Sequence, residues 1–166
     1  MNDPDAQIAQ RVRRIAAVLA AKSARLAVAE SCTGGWIAKS LTDLPGSSAW
    51  FGYGFIAYSD AAKQEVLGVS ADTLAAQGAV SEDVAEQMAT GARLASAAEI
   101  AVAVTGIAGP DGGSSAKPVG TVCFAWAGPG VQLISTTRRF EGDREAVRRQ
   151  SVIAALDGVL VQLTAP

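Results

Sequence analysis

The 166-residue chain contains no histidine. That excludes Ser-His-Asp and Cys-His catalysis and every histidine-based zinc site. Cysteine is almost as scarce: Cys32 and Cys123 stand apart, without C-x-x-C spacing. Two thiols are too few for an all-thiolate metal site and are in keeping with a reducing cytoplasm. A net charge of −2 and a pI near 5.1 give no electrostatic footprint for nucleic acid. No apolar run reaches the span of a bilayer, since Asp157 interrupts the longest candidate near the C-terminus. The acidic, polar opening Met1-Asn2-Asp3-Pro4-Asp5 is not a signal peptide. Any proton transfer is left to Lys, Tyr, Asp, Glu or a bound water.

What is present is an apolar content of 49% against 18% charged residues, ordinary for one well-packed domain spanning residues 1–166. Asp3 before Pro4 predicts an N-cap, and Ile8, Val12, Ile15 and Leu19 recur at helical spacing to about Lys22. Leu26–Ala29 is a short buried strand, followed by a helix over about 33–44 and a turn at Pro45-Gly46-Ser47-Ser48. Trp50–Tyr58 reads as a second strand, in which Gly52 and Gly54 mark a close approach. Short helices over about 61–67 and 71–76 precede a longer one capped by Ser81, with Glu82 and Asp83 in its first turn. Ile100–Thr105 is a third buried strand. Val119–Trp126 and Val131–Arg138 flank Gly128-Pro129-Gly130 as a hairpin, and a last helix begins near Asp143. Helices alternating with buried strands, then a hairpin, predict an α/β fold: a three-layer α/β/α sandwich on a mixed, mostly parallel sheet.

Leu26-Ala27-Val28-Ala29-Glu30-Ser31-Cys32-Thr33-Gly34-Gly35-Trp36 is the stretch around which the rest is arranged. A buried strand runs into a turn of small residues and then a helix start, whose free N–H groups suit an anion or a developing oxyanion. Ser31 stands where such a turn displays a nucleophile, although the pattern is neither G-x-S-x-G nor a Walker A loop. A ligand loop and a purely structural turn fit this pattern equally. The Gly-rich loop from Gly106 to Pro118 follows another buried strand and would face the same crevice, at the carboxyl ends of the strands.

Cations stand at two helix starts, where the macrodipole disfavours them. Lys63 lies in the first turn of a helix capped by Ser59 or Asp60, beside the apolar Phe55-Ile56-Ala57 run. Dipole and desolvation both favour its neutral amine, a potential general base; Asp60 opposes them, and a solvated surface lysine is the competing reading. Arg144, with Arg148 beyond it, begins the last helix, where it fits either a docked phosphate or an ion pair with Glu141 or Glu145. Glu30 could orient Lys63 or cap the loop, and Asp111 could contact ribose hydroxyls or make the Pro-Asp-Gly turn.

Ala29-Glu30-Ser31-Cys32-Thr33-Gly34-Gly35, the Tyr58–Lys63 segment leading to Leu67-Gly68-Val69, and Ala103–Pro110 with Lys117-Pro118-Val119-Gly120-Thr121 together resemble the CinA C-terminal domain family. The closing Phe140-Glu141-Gly142-Asp143-Arg144 and Arg148 resemble it too. The resemblance covers nearly the whole chain from the first helix onward and is to the family's stand-alone form. It implies an α/β/α fold and a nicotinamide-nucleotide amidohydrolase, converting nicotinamide mononucleotide to nicotinic acid mononucleotide and ammonia. The family's catalytic serine, tyrosine and lysine fall on Ser31, Tyr58 and Lys63.

On this combined reading Ser31 attacks the amide carbon, and Lys63 takes its proton directly or through the Tyr58 hydroxyl. Backbone N–H groups at Cys32, Thr33 and Gly34 stabilise the oxyanion. Thr105, Gly106 and the Gly109–Gly113 loop line the nucleotide pocket, and Arg144 holds the 5′-phosphate, with help from Arg148. Cys32 is a rival nucleophile that lacks a histidine to activate it. No cofactor, metal, nucleic acid or membrane partner is expected, and related domains suggest a cytoplasmic homodimer or larger homo-oligomer. The alternative is a non-catalytic domain that binds a phosphorylated nucleotide.

Overall fold

The computed structural model describes residues 3–129 and 131–166; Met1 and Asn2 of the acidic opening and Gly130 of the hairpin turn lie outside the described residues. The chain runs α1 (Pro4–Lys22), β1 (Leu26–Glu30), α2 (Trp36–Thr42), β2 (Phe51–Ile56), α3 (Asp60–Leu67), α4 (Ala71–Gln77), α5 (Glu82–Ser96), β3 (Ile100–Gly106), β4 (Thr121–Gly128), β5 (Val131–Arg139) and α6 (Arg144–Thr164). The five strands form one sheet in the order β2-β1-β3-β4-β5. β1 pairs in parallel with β2 and β3, while β4 is antiparallel to β3 and β5. Only β4 therefore runs against the rest. No helix is long and apolar enough to cross a membrane among the described residues.

Residue size alternates along the three inner strands and decides which helices lie on which face. Leu26 and Val28 of β1, Val102 and Val104 of β3, and Phe124 and Trp126 of β4 point into one core, with α1, α2 and α6. The intervening Ala27, Ala29, Ala101, Ala103, Cys123 and Ala125 point into the other, with α3 and α5. A face of methyl groups suits a helix equally poor in bulk, and α5 contributes Ala85, Ala89 and Ala92 to it. Gly91 on the same helix faces the Leu67 carbonyl of α3, where an added methyl would come within 1.9 Å. The bulky face is closed by longer helices. Trp126 lies against α6 at Gly158 and donates its Nε1–H to the Ala155 carbonyl at 3.1 Å.

Asp3, Ser59, Ser70, Ser81 and Asp143 each cap a helix through a side-chain oxygen. The exception is α2, which starts at Trp36 rather than near Thr33, with Gly35 at its N-cap (φ +96°) and no capping side chain there. Its cap comes from the preceding strand instead. The buried Glu30 carboxylate, at the end of β1, accepts the N–H groups of Ile37 at 2.9 Å and Ala38 at 3.0 Å. Glu30 thus ties strand to helix across the intervening turn and does not contact Lys63. The chain's own carboxylate occupies the anion position at the start of α2.

Candidate active site

β1 ends at Glu30, so Ser31 emerges at the carboxyl edge of the sheet, between β2 and β3. The Ser31 N–H donates to the Val104 carbonyl of β3 at 3.0 Å, and the Ser31 carbonyl accepts the Gly34 N–H at 3.0 Å. The parallel neighbour β2 ends at Ile56, and the chain passes through Ala57 and Tyr58 into α3. Gly68, at φ +69°, ends α3, and the Val69 N–H turns back to the Lys63 carbonyl at 3.1 Å. Lys63 is thereby carried on the inward face of a short helix docked beside Ser31.

Lys63 is not the solvated lysine of the competing sequence reading: it is 1% exposed. Its Nζ lies 3.0 Å from Ser31 Oγ, 3.0 Å from the Ala57 carbonyl and 3.3 Å from the Tyr58 carbonyl. Burial lowers its pKa from the ordinary lysine value, with Asp60 and then Cys32 acting the other way. An ammonium would donate to all three oxygens; in the neutral amine two N–H groups go to the two carbonyls and the lone pair is left for the Ser31 hydroxyl. Cys32, next in the chain, has its thiol pushed up to about 12, chiefly by burial. It stays protonated at neutral pH and packs in the bulky core.

A cavity of about 290 Å³ opens over this pair. Ser31, Cys32, Tyr58 and Lys63 line one side of it, and Thr105, Gly106 and Gly109 the other. Arg144 reaches across its mouth, donating to the Gly109 carbonyl at 2.7 Å and to the Tyr58 hydroxyl at 3.1 Å. It forms no ion pair with Glu141 or Glu145; Arg149 takes Glu145 instead, and Asp5 as well. The Tyr58 hydroxyl thus sits at the rim, and only the backbone carbonyl of Tyr58 meets the lysine. The buried Thr105 hydroxyl is committed to the Ala79 carbonyl at 2.9 Å. Among the described residues, no three Cys, Asp or Glu side chains gather as a metal cage.

Three residues expected at this cavity lie elsewhere. Gly34 faces a second, larger cavity of about 630 Å³ behind the turn, between α1, α2 and α6. Thr33 lines neither, and its buried Oγ1 has no hydrogen-bond partner. Arg148 does not reach the Ser31–Lys63 cavity, because its guanidinium is spent on the Cys32 and Thr33 carbonyls. Conversely, Asp60, Ala79 and Val80 also line the Ser31–Lys63 cavity, where sequence reasoning had placed none of them. Asp60 was readable as a neighbour of Lys63. Ala79 and Val80 carry no chemical signature, and only the docking of α5 brings them there.

The family model described as the CinA C-terminal domain matches residues 8–163 of this chain. The chain belongs to that family. Among the family's proteins, the nicotinamide-nucleotide amidohydrolase PncC of Pseudomonas putida is 59% identical over 83% of this chain and 86% of its own length. The protein of the same name from Escherichia coli strain K12 is 51% identical over 92% of both chains. In structure, the competence/damage inducible protein CihA from Agrobacterium tumefaciens superposes with a TM-score of 0.91 at 43% identity, covering 95% of each chain. The mixed sheet and its two helical layers are thus those of CinA-superfamily structures.

Proposed function

We propose that this chain hydrolyses the carboxamide of nicotinamide mononucleotide, with Ser31 as nucleophile and Lys63 as general base. The carrying observation is the buried Lys63 amine 3.0 Å from Ser31 Oγ, in a chain without histidine. The relatives named as nicotinamide-nucleotide amidohydrolases support the substrate. Neutral Lys63 removes the hydroxyl proton as Oγ bonds to the carboxamide carbon. The resulting ammonium hands that proton to the amide nitrogen, the C–N bond breaks, and ammonia leaves an acyl-serine. Lys63, neutral again, deprotonates a water that attacks the ester carbon; the C–Oγ bond breaks and Ser31 recovers its proton. Direct transfer suits this geometry better than a relay through the Tyr58 hydroxyl, which Arg144 holds. Tyr58 and Arg144 together form the polar rim of the cavity.

The oxyanion donors narrow as well. Gly34 N–H is used by the Ser31 carbonyl and the fully buried Thr33 lines neither cavity, whereas Cys32 lines the cavity and among the described residues its amide donates to no carbonyl or carboxylate. Arg144 commits two of its N–H groups to Gly109 and Tyr58, leaving others for a 5′-phosphate at the rim. The experiment is ammonia release by the purified chain from nicotinamide mononucleotide, compared with the riboside that lacks the phosphate. Arg144→Gln is expected to raise KM for the nucleotide roughly tenfold or more, as loss of a charge-assisted contact does, while leaving the riboside nearly unaffected. Nucleotide binding without any ammonia would leave a non-catalytic binding domain as the function.

We propose also that two copies associate along the outer edge of β2, the basis for a homodimer. No hydrogen bond from elsewhere in the described chain reaches that edge, and residues 50–59 carry no charge to guard it. Tyr53, Ile56, Tyr58 and Val66 are all exposed around it. The opposite edge, β5, ends in exposed Arg138 and Arg139. Tyr53→Lys should shift the mass in light scattering from dimer to monomer; wild-type protein that is monomeric throughout would remove the interface.

A further inference from the structure

Every aspartate in the chain but one has a structural task. Asp3 and Asp143 cap α1 and α6, each accepting a backbone N–H through its carboxylate. Asp5, Asp43 and Asp157 pair with Arg149, Lys39 and Arg11. Asp60, Asp72 and Asp83 sit in the first turns of α3, α4 and α5, where the macrodipole favours a negative charge. Asp111 does none of these. It is exposed on the loop from Gly106 to Pro118 and lines the Ser31–Lys63 cavity. Among the described residues its carboxylate accepts no hydrogen bond and forms no ion pair. An Asx turn would tie it to the Gly113 N–H, and that bond is not formed. The side chain therefore does not make the Pro-Asp-Gly turn.

Backbone contacts hold that loop instead. The Ile107 N–H donates to the Thr121 carbonyl at 2.9 Å, the Gly120 N–H to the Ile107 carbonyl at 2.8 Å, and the Ser114 N–H to the Lys117 carbonyl at 2.8 Å. Gly113 has φ +83° and packs so closely that a Cβ there would lie 2.8 Å from the Val119 nitrogen. Arg144 grips the Gly109 carbonyl, two residues before Asp111. A fixed loop thus presents an unspent carboxylate to the cavity, which spares binding the cost of ordering it.

We propose that Asp111 binds the substrate, accepting hydrogen bonds from the 2′- and 3′-hydroxyls of the ribose and making the site selective for ribonucleotides; this rests on the nucleotide substrate proposed above. The covalent order of that substrate carries the assignment. Its carboxamide goes to Ser31 and Lys63 and its phosphate to Arg144 at the mouth, so the sugar spans the cavity between them. An ionised carboxylate only accepts hydrogen bonds, and its two oxygens suit the two O–H donors of a cis-diol. Carboxylates bind ribose hydroxyls in the same way in dinucleotide-binding folds. The alternatives on the cavity wall are already engaged. The Thr105 hydroxyl is committed to the Ala79 carbonyl. Asp60 acts electrostatically on Lys63, which places it at the carboxamide end.

The test compares ammonia release from nicotinamide mononucleotide and from its 2′,3′-dideoxy analogue. Wild-type kcat/KM should be roughly tenfold or more lower for the analogue, mostly through KM, since contacts to the sugar are made before and during the chemistry. Asp111→Ala should raise KM for nicotinamide mononucleotide by a similar factor and hardly distinguish the two. Asp111→Asn, with one neutral acceptor oxygen, should keep part of the discrimination, and Asp60→Asn all of it. Calorimetry with nicotinic acid mononucleotide and its dideoxy form reads the same contact without chemistry. The ratio of their Kd values should be about tenfold in wild type and near unity in Asp111→Ala. Equal Kd values in wild-type protein, a ratio that survives Asp111→Ala, or one abolished by Asp60→Asn would overturn the assignment. A wild-type chain that shows the Kd ratio yet releases no ammonia would remove hydrolysis and leave the ribose contact standing.

Discussion

Ser31→Ala should reduce kcat for ammonia release roughly ten-thousand-fold, the loss expected when a covalent nucleophile is deleted while the binding groups remain. The affinity for nicotinamide mononucleotide should stay close to wild type, since Arg144, Tyr58 and the Gly106–Gly113 loop are untouched. The same assay on Cys32→Ala separates the two adjacent nucleophiles. With its thiol pushed up to about 12 and packed into the core, Cys32 should be dispensable for the chemistry. Near-wild-type turnover by Ser31→Ala would remove the acyl-serine route. Steady-state kinetics with a direct ammonia readout, and mass spectrometry of the protein during turnover, check both outcomes.

Lys63→Met is expected to match that loss, because nucleophile and base act as one unit. The Ser31→Ala/Lys63→Met double variant should fall little further than either single one. The pH dependence carries the finer prediction. The folded-state pKa of Lys63 is lowered, mainly by burial, so kcat/KM should rise with pH through that lowered value, and the residual activity of Lys63→Met should lack this limb. Stability has a definite sign as well. Between the lowered value and the ordinary lysine value, the unfolded chain holds a proton that the folded chain has released, so stability rises with pH. Below that window both states are protonated and the burial penalty is fully present; above it the penalty is gone. Denaturant unfolding across the window should show wild type gaining stability relative to Lys63→Met. A flat difference would mean that the amine titrates as in free solution.

Much of this molecule is legible along the chain. Asp3-Pro4, Ser59, Ser81 and Asp143 announce helix starts because a short side chain with an acceptor oxygen meets the free N–H groups of the same helix, a purely local fit. The inner strands β1, β3 and β4 show as apolar runs because both of their faces are covered. The start of α2 falls later than the sequence pattern predicts because its cap is non-local in character: Glu30 reaches seven and eight residues ahead, past a turn that no helical or strand period describes. Arg148 shows the same limit. Its place near the start of an amphipathic helix suggests anion binding, and only the packing of α6 against the Ser31–Gly35 turn turns the guanidinium toward two carbonyls.

The chain's composition by itself determined which chemistry is closed to it: without imidazole or a thiolate cluster, proton transfer falls to amine, phenol, carboxylate or water. The alternation of bulky and methyl side chains on β1, β3 and β4 also determined the two faces of the sheet, since successive residues of a strand point opposite ways. The tertiary structure decided whether Lys63 meets Ser31 as a hydrated cation or as a buried amine. That depends on how far water is excluded when α3 docks at the end of β2, and desolvation is a property of the packed surroundings that no residue carries alone.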